Sequence, residues 1–275
     1  MEIEIPTIER EIFTSALRGL NAAGIPYVIA GAFCLHFYTG IWRFTKDMDF
    51  FAVPETVPQT LAELSAAGFR TWVEADHWLG KAVKQGCTVD VIFGSGNWVS
   101  PIDSIWLERS RPAVLLGQPV QMAPVEDMIW AKAYIAGRER YDGADVCHLI
   151  MATEGKFDWQ HLLWRLGDHW QLLLSYLNLY AFVYPSHYRD IPDWVLDDLL
   201  GRLKHERSQP PPKKKVCRGT LLDRFCYNFD VEQLGFADAR ERYARAHGAQ
   251  PGAVVHERAW AREKLAKGEV YKKDL

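Results

Sequence analysis

Asp47-Met48-Asp49 stands in a run of β-compatible residues, followed by Phe50, Phe51, Ala52 and Val53. In a strand, side chains alternate between the two faces of the sheet, so both carboxylates project to one face and Met48 to the other. Two like charges held that close are unfavourable unless cations neutralise them, and hard oxygen ligands suit magnesium, which keeps part of its water shell and takes up substrate phosphates. Alone, such a pair also describes two solvated acids on an exposed strand edge. Its neighbours add to it. Asp90 lies between Thr88-Val89 and Val91-Ile92-Phe93, where a charge among apolar residues is costly without a cation, and a third carboxylate there can bridge to a second metal. Gly31-Ala32 joins a strand to a helix, where backbone N–H groups can face a phosphate and glycine permits close approach. Arg43, Thr45 and Lys46 precede the acid pair, a cationic and hydroxyl-bearing approach of the kind a nucleoside triphosphate requires. Arg43 is equally an ion-pair partner for the acids.

On these residues the chain resembles the nucleotidyltransferase superfamily typified by DNA polymerase beta, in particular its small bacterial branch that includes the AbiEii-type toxins. Ala30-Gly31-Ala32, then Arg43-Phe44-Thr45-Lys46-Asp47-Met48-Asp49-Phe50, then Asp90 match the family's glycine-containing helix start, its R-x-T-x-D-x-D strand and its third acid in order and context. The family usually has Gly or Ser where Ala32 stands, so a side-chain phosphate contact is lost there while backbone contacts survive. Downstream, residues 124–132 look like the family's helix with a triphosphate-contacting lysine, here Lys132, and Arg138, Arg140, Asp142 and Asp145 resemble its R-x-R/K-x-D-x-x-D segment. The likeness covers roughly residues 20–155. It implies an α/β fold, two layers with a short mixed sheet followed by a helical domain. It also implies a metal-dependent enzyme using Mg²⁺ or Mn²⁺ that moves a nucleoside monophosphate from a triphosphate such as ATP to a hydroxyl acceptor and releases pyrophosphate. Asp47, Asp49 and Asp90 would hold metal and carry catalysis, with Asp90 also accepting the hydroxyl proton; Gly31, Ala32, Arg43, Thr45, Lys46 and Lys132 would bind the nucleotide. Asp142 and Asp145 read better as helix-cap or ion-pair residues than as catalytic ones.

These residues need elements to place them. Helical spacing predicts a helix after Thr7 through Leu20, closed by Gly24; strands are expected at 27–30, 47–53, 69–73, 78–83 and 88–93, helices at 31–38 and 54–67, and a hairpin at 114–122 about Gly117-Gln118. From Pro124 the pattern is helical, with segments at 126–139, 142–153, 159–184 and 194–206. Ser208-Gln209-Pro210-Pro211-Pro212-Lys213-Lys214-Lys215 reads as a linker, because three prolines forbid a helix and three lysines favour water. Two further helices are expected at 233–246 and 255–267. The organisation is therefore a catalytic domain over 1–123, a helical domain over 124–207, and a linker with a basic extension over 208–275.

With 275 residues, 48% of them apolar and 24% charged, the chain can bury a full core, and disorder as a dominant state is excluded. The five cysteines are odd in number and form no CxxC pair, and the nine histidines show no ligand spacing, so neither a disulfide framework nor a zinc site is indicated. An acidic start at Glu2, Glu4, Glu9 and Glu11 is unlike a secretory leader, and no stretch reads as a membrane span; a cytoplasmic protein is expected. The net charge of -3 divides into -10 over residues 1–200 and +7 over 201–275. Lys213, Lys214, Lys215, Arg218, Arg224, Arg240, Arg242 and Arg245 could track a phosphate backbone if they share a face, which tips the acceptor toward an RNA end over a small molecule or a protein; solvated helices give the same count. The competing function is a catalytically silent nucleotide- or partner-binding protein of the same fold, such as one half of a toxin–antitoxin pair.

Overall fold

The computed structural model describes residues 3–250, 252–255, 259 and 263. The chain divides into two compact units: Met1–Gly96 with Ser100–Ile129 and His148–Asp158, and Asn97–Val99 with Trp130–Cys147 and Trp159–Leu275.

The first unit begins with α1 (Thr7–Ala22), β1 (Val28–Ile29), α2 (Gly31–Thr39) and β2 (Asp47–Phe51). It continues through α3 (Val57–Ala66), β3 (Arg70–Ala75), β4 (Leu79–Lys84), β5 (Cys87–Ile92), α4 (Ser104–Glu108), β6 (Arg111–Leu115) and β7 (Gln118–Met122). Its seven strands form one sheet in the order β3-β4-β5-β2-β1-β7-β6. β2 runs parallel to β5 and β1 parallel to β7; the other pairings are antiparallel. The expected mixed sheet followed by helices is thus what the chain forms. Met48, Phe50, Val89 and Val91 are fully buried on one face, under α1 and α3, whose Phe13, Leu17, Leu20 and Leu64 supply the opposing layer. The strict alternation of β2 and β5 leaves Asp47, Asp49, Thr88 and Asp90 on the opposite, less buried face.

Two tight turns set the sheet's register. Gln85-Gly86 and Leu116-Gly117 both hold positive φ at both positions, the conformation that joins antiparallel strands with two residues and matches their twist. The first pairs Lys84 with Cys87, and the second pairs Leu115 with Gln118.

The helical part opens with α5 (Val125–Ala133) and α6 (Gly143–Ala152), each divided between the two units, and continues with α7 (Trp159–Leu166), α8 (Trp170–Val183) and α9 (Asp193–Ser208). The single helix expected over 159–184 is broken: Gly167 takes a φ of 48° and a 3₁₀ turn, Gly167–His169, separates α7 from α8. The helix expected over 126–139 stops at Ala133, since the chain turns into a loop closed by Gly137 N–H donating to Arg140 C=O and by Asp142 N–H donating to Ile135 C=O. After the proline run come β8 (Val216–Cys217), α10 (Asn228–Glu232), β9 (Ala237–Asp238) and α11 (Arg240–Ala246). The helix expected over 233–246 is therefore confined to its second half, because Gly235 adopts a φ of 71° and residues 237–238 pair with β8 as a parallel strand. The helix expected over 255–267 falls outside the described residues apart from positions 255, 259 and 263.

Candidate functional site

The acids meet through the strand register. β2 and β5 lie side by side with Asp49 opposite Asp90 and Asp47 opposite Thr88, so two carboxylates stand abreast on one face and the third follows two residues along. β1 ends next to Asp49, where Ala30 N–H donates to Asp49 C=O at 3.0 Å, and α2 starts at the next residue. The side chain of Asp49 packs on the bare Cα of Gly31: a Cβ built there would lie 1.7 Å from Oδ2, and the backbone already holds a φ of 56°. Glycine is required on both counts, for space and for conformation. The first-turn N–H groups of α2 therefore begin beside a carboxylate, an arrangement the helix dipole favours.

The approach to β2 is held by Thr45, whose hydroxyl accepts from Asp47 N–H at 3.2 Å and lies 3.2 Å from Asp47 C=O. Lys46 C=O accepts from Thr88 N–H, which extends the pairing one step before the acids. Arg43, Phe44, Lys46 and Asp47 are exposed, while Asp49 and Asp90 are half-buried.

Lys81, which the sequence analysis passed over, belongs to this face. It lies opposite Asp90 in β4, and its Nζ donates to Asp90 Oδ1 at 2.8 Å. The signal for it is in the sequence: a two-residue Gln85-Gly86 turn pairs Lys84 with Cys87, and three steps back and three forward place Lys81 across from Asp90.

As a donor set, Asp47 and Asp49 fit a magnesium-class ion: both are hard oxygen ligands on a rigid strand, open to water on the exposed side, with glycine leaving room for the second carboxylate. Among the described residues, no three His, Cys, Asp or Glu side chains converge into a ready-made metal cluster, and Asp90 faces an ammonium.

In the second unit, Lys132 is buried and its Nζ donates to Asp142 Oδ2 and Asp145 Oδ2, both at 2.7 Å. Burial works against the charge of Asp142, but Lys132 and Arg140 more than offset it and hold its carboxyl below the usual range. Asp142 and Asp145 are thus ion-pair residues at the start of α6, as expected for them.

The basic extension is largely folded onto its own unit. Arg240 is 1% exposed and bonded to the equally buried Asp238 at 2.7 Å, so it drops out of any basic face. Arg218 donates to Asp168 C=O and Arg242 pairs with Asp168 at 3.4 Å. The Asp223 carboxylate accepts from the N–H groups of Arg138, Phe225 and Cys226. Lys213, Lys214 and Lys215 remain exposed.

No family model and no curated protein matches the chain. Among solved structures it is similar to ANT(2'')-Ia, solved in complex with adenylyl-2''-tobramycin, at 17% identity over 64% of this chain and 100% of that one, with a TM-score of 0.45. It is also similar to an antigenic nucleotidyltransferase-like protein from Paracoccidioides brasiliensis, at 16% identity over 68% and 94% with a TM-score of 0.40. The same holds for JHP933 from Helicobacter pylori, at 16% identity over 84% and 100% with a TM-score of 0.38. With each of these TM-scores below 0.5, the reading of this chain rests on its own residues. No helix among the described residues is long and apolar enough to cross a membrane.

Proposed function

We propose that the chain is a metal-dependent nucleotidyltransferase that moves a nucleoside monophosphate from a nucleoside triphosphate to a hydroxyl acceptor and releases pyrophosphate. The observation that carries the reading is the pairing of Asp49 with Asp90, abreast on one open face of the sheet, with Asp47 two residues along and Gly31 making room for Asp49. Asp47 and Asp49 are the residues for a Mg²⁺ or Mn²⁺ ion, which when bound neutralises triphosphate charge and favours attack at the α-phosphorus. Thr45 orients the backbone of Asp47, and the exposed Arg43 and Lys46 present positive charge to an incoming polyphosphate. Gly31 and Ala32 open α2 with backbone N–H groups, and Asp90 would accept the acceptor's proton. Lys132, which the resemblance assigns to the triphosphate, has its ammonium bonded to Asp142 and Asp145. An RNA end is favoured as acceptor by the exposed run Lys213-Lys214-Lys215.

A second reading, a nucleotide- or partner-binding protein without turnover, draws on Lys132 and Asp90 both being engaged by internal partners. Incubation with each α-labelled triphosphate, Mg²⁺ or Mn²⁺, and separate pools of RNA, protein and small metabolites separates the two. Label that enters one pool with the wild type and not with Asp47→Asn/Asp49→Asn supports transfer and identifies the acceptor class. Metal-dependent triphosphate binding with no label in any pool supports the second reading.

A further inference from the structure

Lys81, Asp90 and Asp49 form a row across three adjacent strands: Lys81 is opposite Asp90 in the antiparallel pair β4/β5, and Asp90 is opposite Asp49 in the parallel pair β5/β2. All three point to the same face, because each alternates with residues buried on the other side: Gly80 and Ala82 in β4, Val89 and Val91 in β5, Met48 and Phe50 in β2. Opposed like charges in neighbouring strands repel, and here the row ends in an ammonium bonded to the middle carboxylate at 2.8 Å. Counting only the side chains of these three strands on this face, Asp47, Asp49, Asp90 and Lys81 sum to a charge of about -2, the charge that one divalent cation balances.

Resting on the function proposed above, we infer that Lys81 is a positioning residue of this site, supplying at Asp90 the positive charge that a second divalent ion would otherwise bring, so that the face takes one ion, on Asp47 and Asp49. A second ion at Asp90 would share the carboxylate with the ammonium bonded to Oδ1 and would be repelled by it. The pair is partly shielded, with 26% of the Lys81 and 17% of the Asp90 side chain exposed, so salt screens it less than a surface pair. Lys81 also holds Asp90 at a fixed place in the row, leaving Asp90 to act on a proton and not as a ligand.

The test is Mn²⁺ binding by calorimetry and electron paramagnetic resonance, on the full chain, with and without a non-hydrolysable ATP analogue. The variants are Lys81→Arg, Lys81→Met, Asp90→Asn and Lys81→Met/Asp90→Asn. The expected wild type and Lys81→Arg bind a single Mn²⁺ per chain. Lys81→Met binds it about tenfold more tightly or takes up a second ion, because a nearby positive charge is gone. Asp90→Asn binds about tenfold more weakly, since the ammonium then faces the ion uncompensated, and the double variant returns to within about threefold of wild type. A double variant as weak as Asp90→Asn makes Asp90 a ligand and overturns the inference, as do two ions in the wild type or an affinity that Lys81→Met leaves unchanged. If Lys81→Met does not fold, the double variant, which removes both charges together, decides alone. Absence of Mn²⁺ binding in every form overturns this inference and the functional reading together, whereas binding that is abolished by Asp47→Asn/Asp49→Asn but indifferent to Lys81 overturns this inference alone.

Discussion

Replacing Lys132 with methionine removes the ammonium shared by Asp142 and Asp145 while keeping an unbranched side chain as far as Cε. Lys132 is 8% exposed, and each carboxylate it bonds at 2.7 Å belongs to a side chain no more than 10% exposed. Breaking a buried pair by deleting one partner costs about 3–5 kcal/mol, because the remaining charge is left uncompensated. Asp142 keeps Arg140 at 3.2 Å, a mostly exposed and hence weak partner, so the lower end, about 3 kcal/mol, applies. With an m-value of about 2 kcal/mol/M, the urea midpoint of the unit containing these residues falls by about 1.5 M. The pH dependence changes sign with it. In the wild type the Asp142 carboxyl is held below its unfolded value, so its contribution is present above that value and is lost as pH falls through the lower folded one. In Lys132→Met the burial of Asp142 is no longer outweighed by the ammonium, so its carboxyl takes up a proton more readily when folded than when unfolded and the variant gains stability relative to wild type as pH falls from 7 to 5. Urea unfolding at pH 7 and pH 5, followed by tryptophan fluorescence, measures both effects. A midpoint shift under about 0.5 M at pH 7, or a variant that does not recover toward pH 5, would refute the argument. The triple variant Lys132→Met/Asp142→Asn/Asp145→Asn removes the whole cluster and should regain most of the stability. Triphosphate affinity measured on it reports whether Lys132 also serves the nucleotide.

Gly31→Ala places a methyl group where Asp49 Oδ2 lies and forces alanine into the left-handed region; it should cost about 1–3 kcal/mol in thermal stability and at least about tenfold in Mn²⁺ affinity, and an unperturbed affinity would contradict the close packing on Asp49. His169 is buried between the hydroxyls of Tyr134 at 2.6 Å and Tyr243 at 2.9 Å, and burial, followed by the charge of Arg218, pushes its pKa down to about 4. A folded imidazole that resists protonation contributes stability above the unfolded value near 6.5 that is lost as pH falls toward 4, up to about 3 kcal/mol, so melting of His169→Gln should depend less on pH over that window than wild type; parallel curves would exclude the effect. Changing Lys213, Lys214 and Lys215 to glutamine should reduce the salt dependence of RNA binding by about 2 in log–log slope, and an unchanged slope would remove these lysines from the acceptor contact.

Much of the site was legible because it follows from local rules. The alternation of Asp47-Met48-Asp49 and of Thr88-Val89-Asp90-Val91 places the acids on one face without knowledge of any other strand, and an acid-bearing strand after a glycine-started helix orders the pieces along the chain. Helix existence was legible from apolar spacing, whereas helix ends were not: Gly167 and Gly235 break helices that the spacing alone runs through, because their positive φ is chosen by what the flanking segments pack against. The hairpin partner of Asp90 is encoded in Gln85-Gly86: the strands expected at 78–83 and 88–93 flank it, and the two-residue turn between them sets their register.

The tertiary structure decided which charges are spoken for. In sequence Arg240 reads as part of a basic face and Lys132 as a triphosphate contact, and only folding buries them against Asp238 and against Asp142 and Asp145. It also placed Asp49 abreast of Asp90, a pairing of parallel strands separated by residues 52–86. The sequence by itself determined the types, the faces and the local turns, because these depend on contacts within a few residues. Partnership between charges depends on which strands become neighbours and on how much water is excluded between them, and that is a property of the packed chain alone.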